Sequence, residues 1–174
     1  MVVTDLVGRS FMTDDQRAAI LEELPEQGNV LEIGTGHGTT VAWWAQRRPA
    51  VTFVTVDNFE VAPGTGPGDI EDWLTNHQPN QLLFRGTSAQ FGAVALPVFD
   101  AIFIDGDHSY EGCMADLILG KRLVVAGGKL MLHDYGRMEV PSLRGVTKAA
   151  DTFCPTYHWT VKRVLVCTAV MEAG

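Results

Sequence analysis

The residues able to do chemistry in this chain gather in three places. Glu32 stands in an apolar run (Asn29-Val30-Leu31-Glu32-Ile33) and is followed by glycine at 34, 36 and 38, while Asp57 closes a second run from Val51 to Val56. Further on come Asp105-Gly106-Asp107-His108-Ser109-Tyr110-Glu111-Gly112 and Leu132-His133-Asp134-Tyr135. A carboxylate can accept two hydroxyl hydrogen bonds at once, so Asp57 suits a ribose diol. A histidine that titrates near neutrality can take the proton of an attacking hydroxyl, and Asp105 and Asp107 raise the basicity of His108. His108 is therefore the candidate general base. Asp107 reads more simply as a turn residue bonding its own backbone, and Glu111 as a first-turn acid favoured by the helix dipole.

Glycine at alternate positions lets the backbone approach a bound molecule closely. A Walker loop requires Lys-Ser/Thr after its last glycine, yet Thr39-Thr40 follow Gly38 and no lysine is near. The dinucleotide fingerprint requires glycine at 39, where Thr39 stands. The G-x-G-x-G spacing with Glu32 and Ile33 before it resembles motif I of class I S-adenosylmethionine (SAM) methyltransferases. SAM has no pyrophosphate to neutralise, but it carries a ribose diol and a cationic centre, and carboxylates suit both. The resemblance implies a cofactor site of Glu32, Gly34, Thr35, Gly36 and Gly38, with Asp57 and Asn58 at the second strand end and Asp105 at a later one. It also places Thr87 and Ser88 at the adenine, although the same residues make a sound helix N-cap. His37 is expected to offer backbone rather than imidazole, and Trp43 and Trp44 to pack their helix.

The Asp105–Gly112 string, the His133-Asp134 pair and the Gly127-Gly128-Lys129-Leu130 turn closely resemble the family of macrocin-type sugar O-methyltransferases and cephalosporin hydroxylase-like proteins (methyltransferase domain 24), over residues 29–153. That resemblance implies methyl transfer from SAM to oxygen on a small-molecule acceptor. It also implies that Asp105 and Asp134 hold a divalent metal, with His133 where those members usually place a third, acidic ligand. Such a set suits Mg²⁺, but a histidine shifts preference toward Mn²⁺ or another transition metal. His133 can equally act beside the metal or as a base, which makes it a catalytic candidate with His108 and Asp105. Transfer to nitrogen, aminopropyl transfer and a SAM-binding accessory role stay open. The chain is short for this family, so either the acceptor is small or a second subunit, including another copy of the chain, closes the pocket.

These residues need elements to hold them. Thr13-Asp14-Asp15-Gln16 has capping-box form and opens a helix to about Leu24, with Ala18, Ile20, Leu21 and Leu24 on one face and Pro25 as its stop. Strands are expected at 29–33, 51–57, 81–85, 99–104 and 129–134. Helices are expected at 39–48, from a cap at Asp69, from Ser109 to about Val125 with Gly127-Gly128 as terminator, and from Val146 to Phe153 before Pro155. Residues 159–170 suit one strand or a tight hairpin. Strand–helix alternation implies an α/β fold, and the resemblance adds a Rossmann-like, mostly parallel seven-stranded sheet with helices on both faces. Residues 1–28 are expected to form an N-terminal helical segment, and residues 59–80, with their glycine- and proline-rich stretch, a loop-rich insert suited to a substrate lid.

At 174 residues, with 46% hydrophobic and 20% charged residues, the chain suits one globular domain. A net charge of −8 without a dense Lys/Arg stripe disfavours nucleic acid. The basic residues Arg47-Arg48 and Lys121-Arg122 suit helix C-termini. No apolar run reaches membrane-spanning length, and Met1–Asp5 lacks a signal-peptide pattern. Cys113, Cys154 and Cys167 have no metal-ligand spacing and read as reduced cytoplasmic thiols, with Cys113 and Cys167 buried as small hydrophobes.

Overall fold

Apolar runs separated by helix-forming segments commit a chain to parallel strands joined by crossover helices. The computed structural model, which describes residues 6–8, 12–60 and 69–174, follows that plan. Its elements are α1 (Asp14–Leu21), β1 (Gly28–Ile33), α2 (Thr39–Arg47), β2 (Val51–Asp57), α3 (Ile70–Asn76), β3 (Gln81–Arg85), α4 (Ser88–Val94), β4 (Phe99–Ile104), α5 (Tyr110–Leu123), β5 (Val124–Leu132), α6 (Arg144–Tyr157), β6 (Trp159–Leu165) and β7 (Thr168–Ala173). They build one seven-stranded sheet in the order β3-β2-β1-β4-β5-β7-β6. Strands β1 to β5 run parallel, and β7 is antiparallel to both β5 and β6. The Rossmann-like sheet is the one expected, and the C-terminal segment takes the hairpin form.

Alternating side chains send each strand's residues to opposite faces. Leu31, Ile102, Leu130 and Met171 pack with Leu117 of α5 and Phe153 of α6. Val30, Phe53, Phe103, Met131 and Val170 pack with Ile20 of α1 and Trp44 of α2. Trp44 meets Phe103 edge-on at 5.1 Å, and its Nε1 donates to Arg17 O at 2.9 Å, so the indole is buried with its polar atom satisfied. Trp43 instead lies under the Arg47 guanidinium at 3.6 Å. Both tryptophans thus serve packing, as expected.

Several boundaries differ from the expected ones. The Thr13–Gln16 capping box opens α1, but the helix stops at Leu21, and the amides of Glu23 and Leu24 bond back to Ile20 O and Leu21 O in tighter turns. Leu24 remains buried, whereas Ala18 is exposed. The Glu23 carboxylate then accepts from Lys129 Nζ at 2.8 Å and from two guanidinium nitrogens of Arg163, fastening the N-terminal segment to β5 and β6. Gly127-Gly128 does not terminate a helix. Helix α5 already ends at Leu123, and the glycines lie within β5, where register against β4 slips between the pairs Phe99–Val124 and Ala101–Lys129. Strand β5 stops at Leu132, and His133 and Asp134 stand in the turn after it. Helix α6 runs through Pro155 to Tyr157. A proline so near the end forfeits a single intrahelical bond, and Phe153 holds the last turn by packing against Tyr157 at 5.0 Å and Trp159 at 5.9 Å.

Arg47 and Lys121-Arg122 occupy last helical turns. All three cysteines are free, Cys113 and Cys167 buried. Among the described residues no helix is long and apolar enough to cross a membrane. Of the insert expected over 59–80 as a lid, residues 61–68 lie outside the described residues, and Ile70–Asn76 form α3.

The Glu23 ion pairs carry a stability prediction. Replacing Glu23 by Gln leaves Lys129 and Arg163 without their anion and should lower stability in a urea melt by up to about 1 kcal/mol, because Arg163 is exposed and solvent screens the pair.

Candidate functional site

Four backbone bonds carry the sheet's ladder past the C-terminal strand ends. Gly34 N donates to Val56 O at 2.9 Å, Gly86 N to Asp57 O at 2.9 Å, Asp105 N to Ile33 O at 2.8 Å and His133 N to Ile104 O at 3.0 Å. The loops after β1, β3, β4 and β5 are therefore held at their roots, around the point where strand order reverses between β1 and β4. Open α/β sheets keep their crevice there. A cavity of about 810 Å³ opens at that edge, lined by Glu32, Gly34, Thr35, Gly36, Asp57, Asn58, Thr87, Ser88, Asp105, His108, His133 and Asp134 among others. Of the expected site residues, only Gly38 is not on its wall.

The alternate glycines do different work. A Cβ on Gly34, at φ +87°, would sit 2.2 Å from Asp105 O, so the loops after β1 and β4 can meet only without a side chain. A Cβ on Gly36 would meet nothing within 4 Å. A Cβ on Gly38 would strike Trp73 of α3 at 2.5 Å, which makes Gly38 a packing residue. His37 departs from expectation, because its imidazole is engaged: Nδ1 lies 2.8 Å from Asp72 Oδ2, and its carbonyl accepts from Asn76 Nδ2. The glycine bend is thereby strapped to α3.

Two carboxylates flank that bend. Asp57 accepts from Gly36 N at 2.9 Å and from Phe59 N at 2.6 Å, one bond to each oxygen, which leaves further lone pairs facing outward. Asn58 makes a local turn by accepting from Glu60 N. Glu32 is only 2% exposed, and its Oε2 is buried without a geometric hydrogen bond. Burial pushes the Glu32 carboxyl up to about 8 against the opposing influence of the Thr35 hydroxyl, and the charges of Asp105 and Asp57 add to the rise. Thr87 caps α4 in a second capping box with Gln90, and it still lines the cavity.

Across the cavity stand the acids and histidines. His108 Nε2 lies 3.5 Å from Asp105 Oδ1 and 3.5 Å from Asp134 Oδ2. The Asp105 carboxylate, seconded by Asp134, raises the His108 pKa against the opposing effect of burial. The loop carrying His108 is pressed against α6, where a Cβ on Gly145 would fall 2.3 Å from His108 O. Asp134 takes the left-handed conformation at φ +57°, tolerated by aspartate better than by most residues. His133 is buried, with Nδ1 at 3.0 Å from Thr168 Oγ1 and Nε2 at 3.8 Å from Asp134 Oδ1. Burial opposes its charge, but the carboxylates of Asp105 and Asp134 and the Cys167 thiol outweigh burial and raise its pKa to about 9.

Asp105, His133 and Asp134 do not converge as one ligand set. Among the described residues, groups with ligand atoms within 4.8 Å of one another are Asp105–His108–Asp134 and His133–Asp134–Cys167. Asp107 bonds Ser109 through both its oxygens, and Glu111 occupies the first turn of α5, the simpler role expected for each. Sequence reasoning missed Asp116, Arg137 and Cys167. Asp116 lines the cavity with its carboxyl pushed up to about 6 by burial, and nothing in its local sequence within α5 marks it. Arg137 Nη1 reaches Asp134 Oδ1 at 3.8 Å. Cys167 comes from the β6–β7 turn, and nothing in its local sequence marks it.

A family model described as a methyltransferase domain matches residues 31–135. No curated protein sequence matches the chain. Among solved structures, cofactor-bound Rv0187 from MTB is 18% identical with a TM-score of 0.74, over 97% of this chain and 84% of that one. CalO1, a methyltransferase in calicheamicin biosynthesis in its SAH-bound form, is 16% identical with a TM-score of 0.62, over 92% of this chain and 53% of that one. MycE, a methyltransferase from the mycinamycin biosynthetic pathway in complex with Mg, SAH and mycinamycin VI, is 14% identical with a TM-score of 0.66, over 90% of this chain and 47% of that one. The chain thus spans about half the length of CalO1 and MycE, and at these identities the likeness is one of fold.

The Glu32 carboxyl sets a pH dependence. Its pKa is about 8 in the folded chain against 4.5 in the ordinary state, so the folded form holds the extra proton between those values. Stability should fall as pH rises through that window, by at most about 1.4 kcal/mol per pH unit. In chelator-treated buffer, urea melts of Glu32→Gln should lose less stability than wild type between about pH 5 and about pH 8. Equal losses would remove Glu32 as the source.

Proposed function

The chain belongs to the class I SAM-dependent methyltransferase family matched above, and on that premise we propose that it methylates a hydroxyl oxygen of a small molecule. The observation that carries this reading is one cavity shared by the glycine bend with Asp57 and by the group Asp105, His108 and Asp134. The residues fit the donor. Glu32 Oε2 is buried without a geometric hydrogen bond, and the position above Gly36 is open. The Asp57 carboxylate matches a diol, and a bound cation would favour release of the proton that buried Glu32 otherwise holds.

SAM supplies an electrophilic methyl group on a sulfonium centre. Asp57, already pinned by two backbone amides, accepts the ribose hydroxyls, with Asn58 beside it. Glu32, Gly34, Thr35, Gly36 and Gly38 form the bend that seats the rest of the molecule, and Thr87 and Ser88 approach the adenine. Placing donor and acceptor in line in one cavity supplies most of the acceleration. An acceptor hydroxyl loses its proton as the oxygen gains the methyl group, and His108 takes that proton at Nε2, where Asp105 and Asp134 stabilise the imidazolium. As the alternative to His108 acting as base, Asp105 and Asp134 would hold a divalent metal, Mg²⁺ or Mn²⁺, with His108 rather than His133 as the imidazole that converges with them. Such an ion lowers the pKa of a bound hydroxyl.

The two halves of the site separate in a test. Asp57→Ala should weaken S-adenosylhomocysteine binding by about 10- to 100-fold, the worth of a hydrogen bond to a charged acceptor. Asp105→Ala should weaken S-adenosylhomocysteine binding less than Asp57→Ala does, while methyl transfer to a panel of small hydroxyl compounds falls by about 10²- to 10⁴-fold. Titration calorimetry and product mass spectrometry read the two effects. Equal loss of binding in both variants would refute the division of roles.

A further inference from the structure

Asp134 belongs to two groups at once. On one side it stands with Asp105 and His108, and on the other with His133 and Cys167. We propose that His133, Asp134 and Cys167 form a site for a thiophilic transition metal of the Zn²⁺ class. This deepens the metal component of the proposed function and alters its donor set, from carboxylates and one imidazole to a set that includes a thiolate.

The donor chemistry is selective. Mg²⁺ takes oxygen ligands, whereas thiolate with imidazole and carboxylate is a set that Zn²⁺ accepts in four-coordinate sites. Three protein ligands leave one position over, and His133 and Asp134 both line the cavity from which a water or an acceptor oxygen would fill it. His133 and Cys167 are 5% and 4% exposed, so these donors are largely shielded from water.

The spacing is close to that of a formed site. One ligand atom from each of His133, Asp134 and Cys167 lies within 4.8 Å of the other two, with His133 Nε2 3.8 Å from Asp134 Oδ1. Ligand atoms around a tetrahedral zinc stand about 3.5 Å apart, given Zn–N and Zn–S bonds of about 2.0 and 2.3 Å. Three separate features hold the donors in place. Tyr135 N donates to Cys167 O at 2.9 Å and clamps the turn after β5 to the β6–β7 turn. Thr168 Oγ1, 3.0 Å from His133 Nδ1, orients the ring. Gln16 Nε2 donates to Cys167 Sγ at 3.3 Å, a hydrogen bond that a metal-bound thiolate retains.

The test uses the full chain stripped with a chelator and titrated with Co²⁺ as a spectroscopic probe. One equivalent should produce a near-ultraviolet thiolate-to-cobalt charge-transfer band and the intense visible bands of four-coordinate cobalt. Zn²⁺ should bleach both, and excess Mg²⁺ should leave them unchanged. Cys167→Ser should lose the charge-transfer band and at least about 100-fold in Zn²⁺ affinity, beyond the loss caused by removing an outer hydrogen-bond partner. Cys113→Ser should keep the band. A wild-type spectrum without the band, a band that survives Cys167→Ser, or displacement by Mg²⁺ overturns the proposal. If circular dichroism shows Cys167→Ser unfolded, the wild-type spectrum and the Mg²⁺ competition still decide. Calorimetry with S-adenosylhomocysteine runs in parallel: wild type that binds it but shows no thiolate band sinks the metal site alone, and the converse sinks the methyl-transfer reading alone.

Discussion

Everything at the candidate site depends on the sheet's hydrogen-bond ladder continuing beyond its strands. Gly34, Gly86, Asp105 and His133 each donate an amide to one of the last two residues of a neighbouring strand. Each bond fixes the first residue of a loop, so the side chains that follow inherit strand-like placement despite lying outside regular structure. Gly34 shows how tight the arrangement is, since a methyl group there would overlap the backbone of Asp105. The loop that seats one molecule and the loop that carries the acids are in effect one body.

That rigidity explains how a small cavity can concentrate so many carboxylates. Glu32, Asp57, Asp105, Asp116 and Asp134 all line it, against His108, His133 and Arg137. Two of the acids respond by holding protons, Glu32 to about 8 and Asp116 to about 6, each because burial penalises its charge. Asp57 accepts two backbone amides, and Asp105 and Asp134 each lie 3.5 Å from the His108 imidazole. A wall of this kind favours cationic ligands, and a sulfonium or a divalent ion meets that requirement.

The fold was largely legible because its signals are local. Strand and helix identities followed from apolar runs and from caps at Thr13, Asp69, Thr87 and Ser109, all four of which form. Where local signals compete, reading failed. Gly127-Gly128 resembles a helix stop but sits where β5 slips register against β4, and only the pairing with Phe99 reveals that Val124 is already strand. Pro155 resembles a helix end, yet the aromatic contacts of Phe153 hold the turn around it. His37 lay in a loop that suggested an idle side chain, and its partner Asp72 is distant in sequence.

The sequence by itself determined the strand–helix alternation, the bend of Gly34, Gly36 and Gly38, and the acids at the strand ends, because periodicity, caps and glycine spacing act within a few residues. Only the tertiary structure decided which acids and histidines meet. It set His108 rather than His133 between Asp105 and Asp134, and it brought Cys167 beside His133. The reason is physical: strand order and the antiparallel insertion of β7 next to β5 are fixed by the packing of the whole sheet, and no local pattern specifies which strand ends become neighbours.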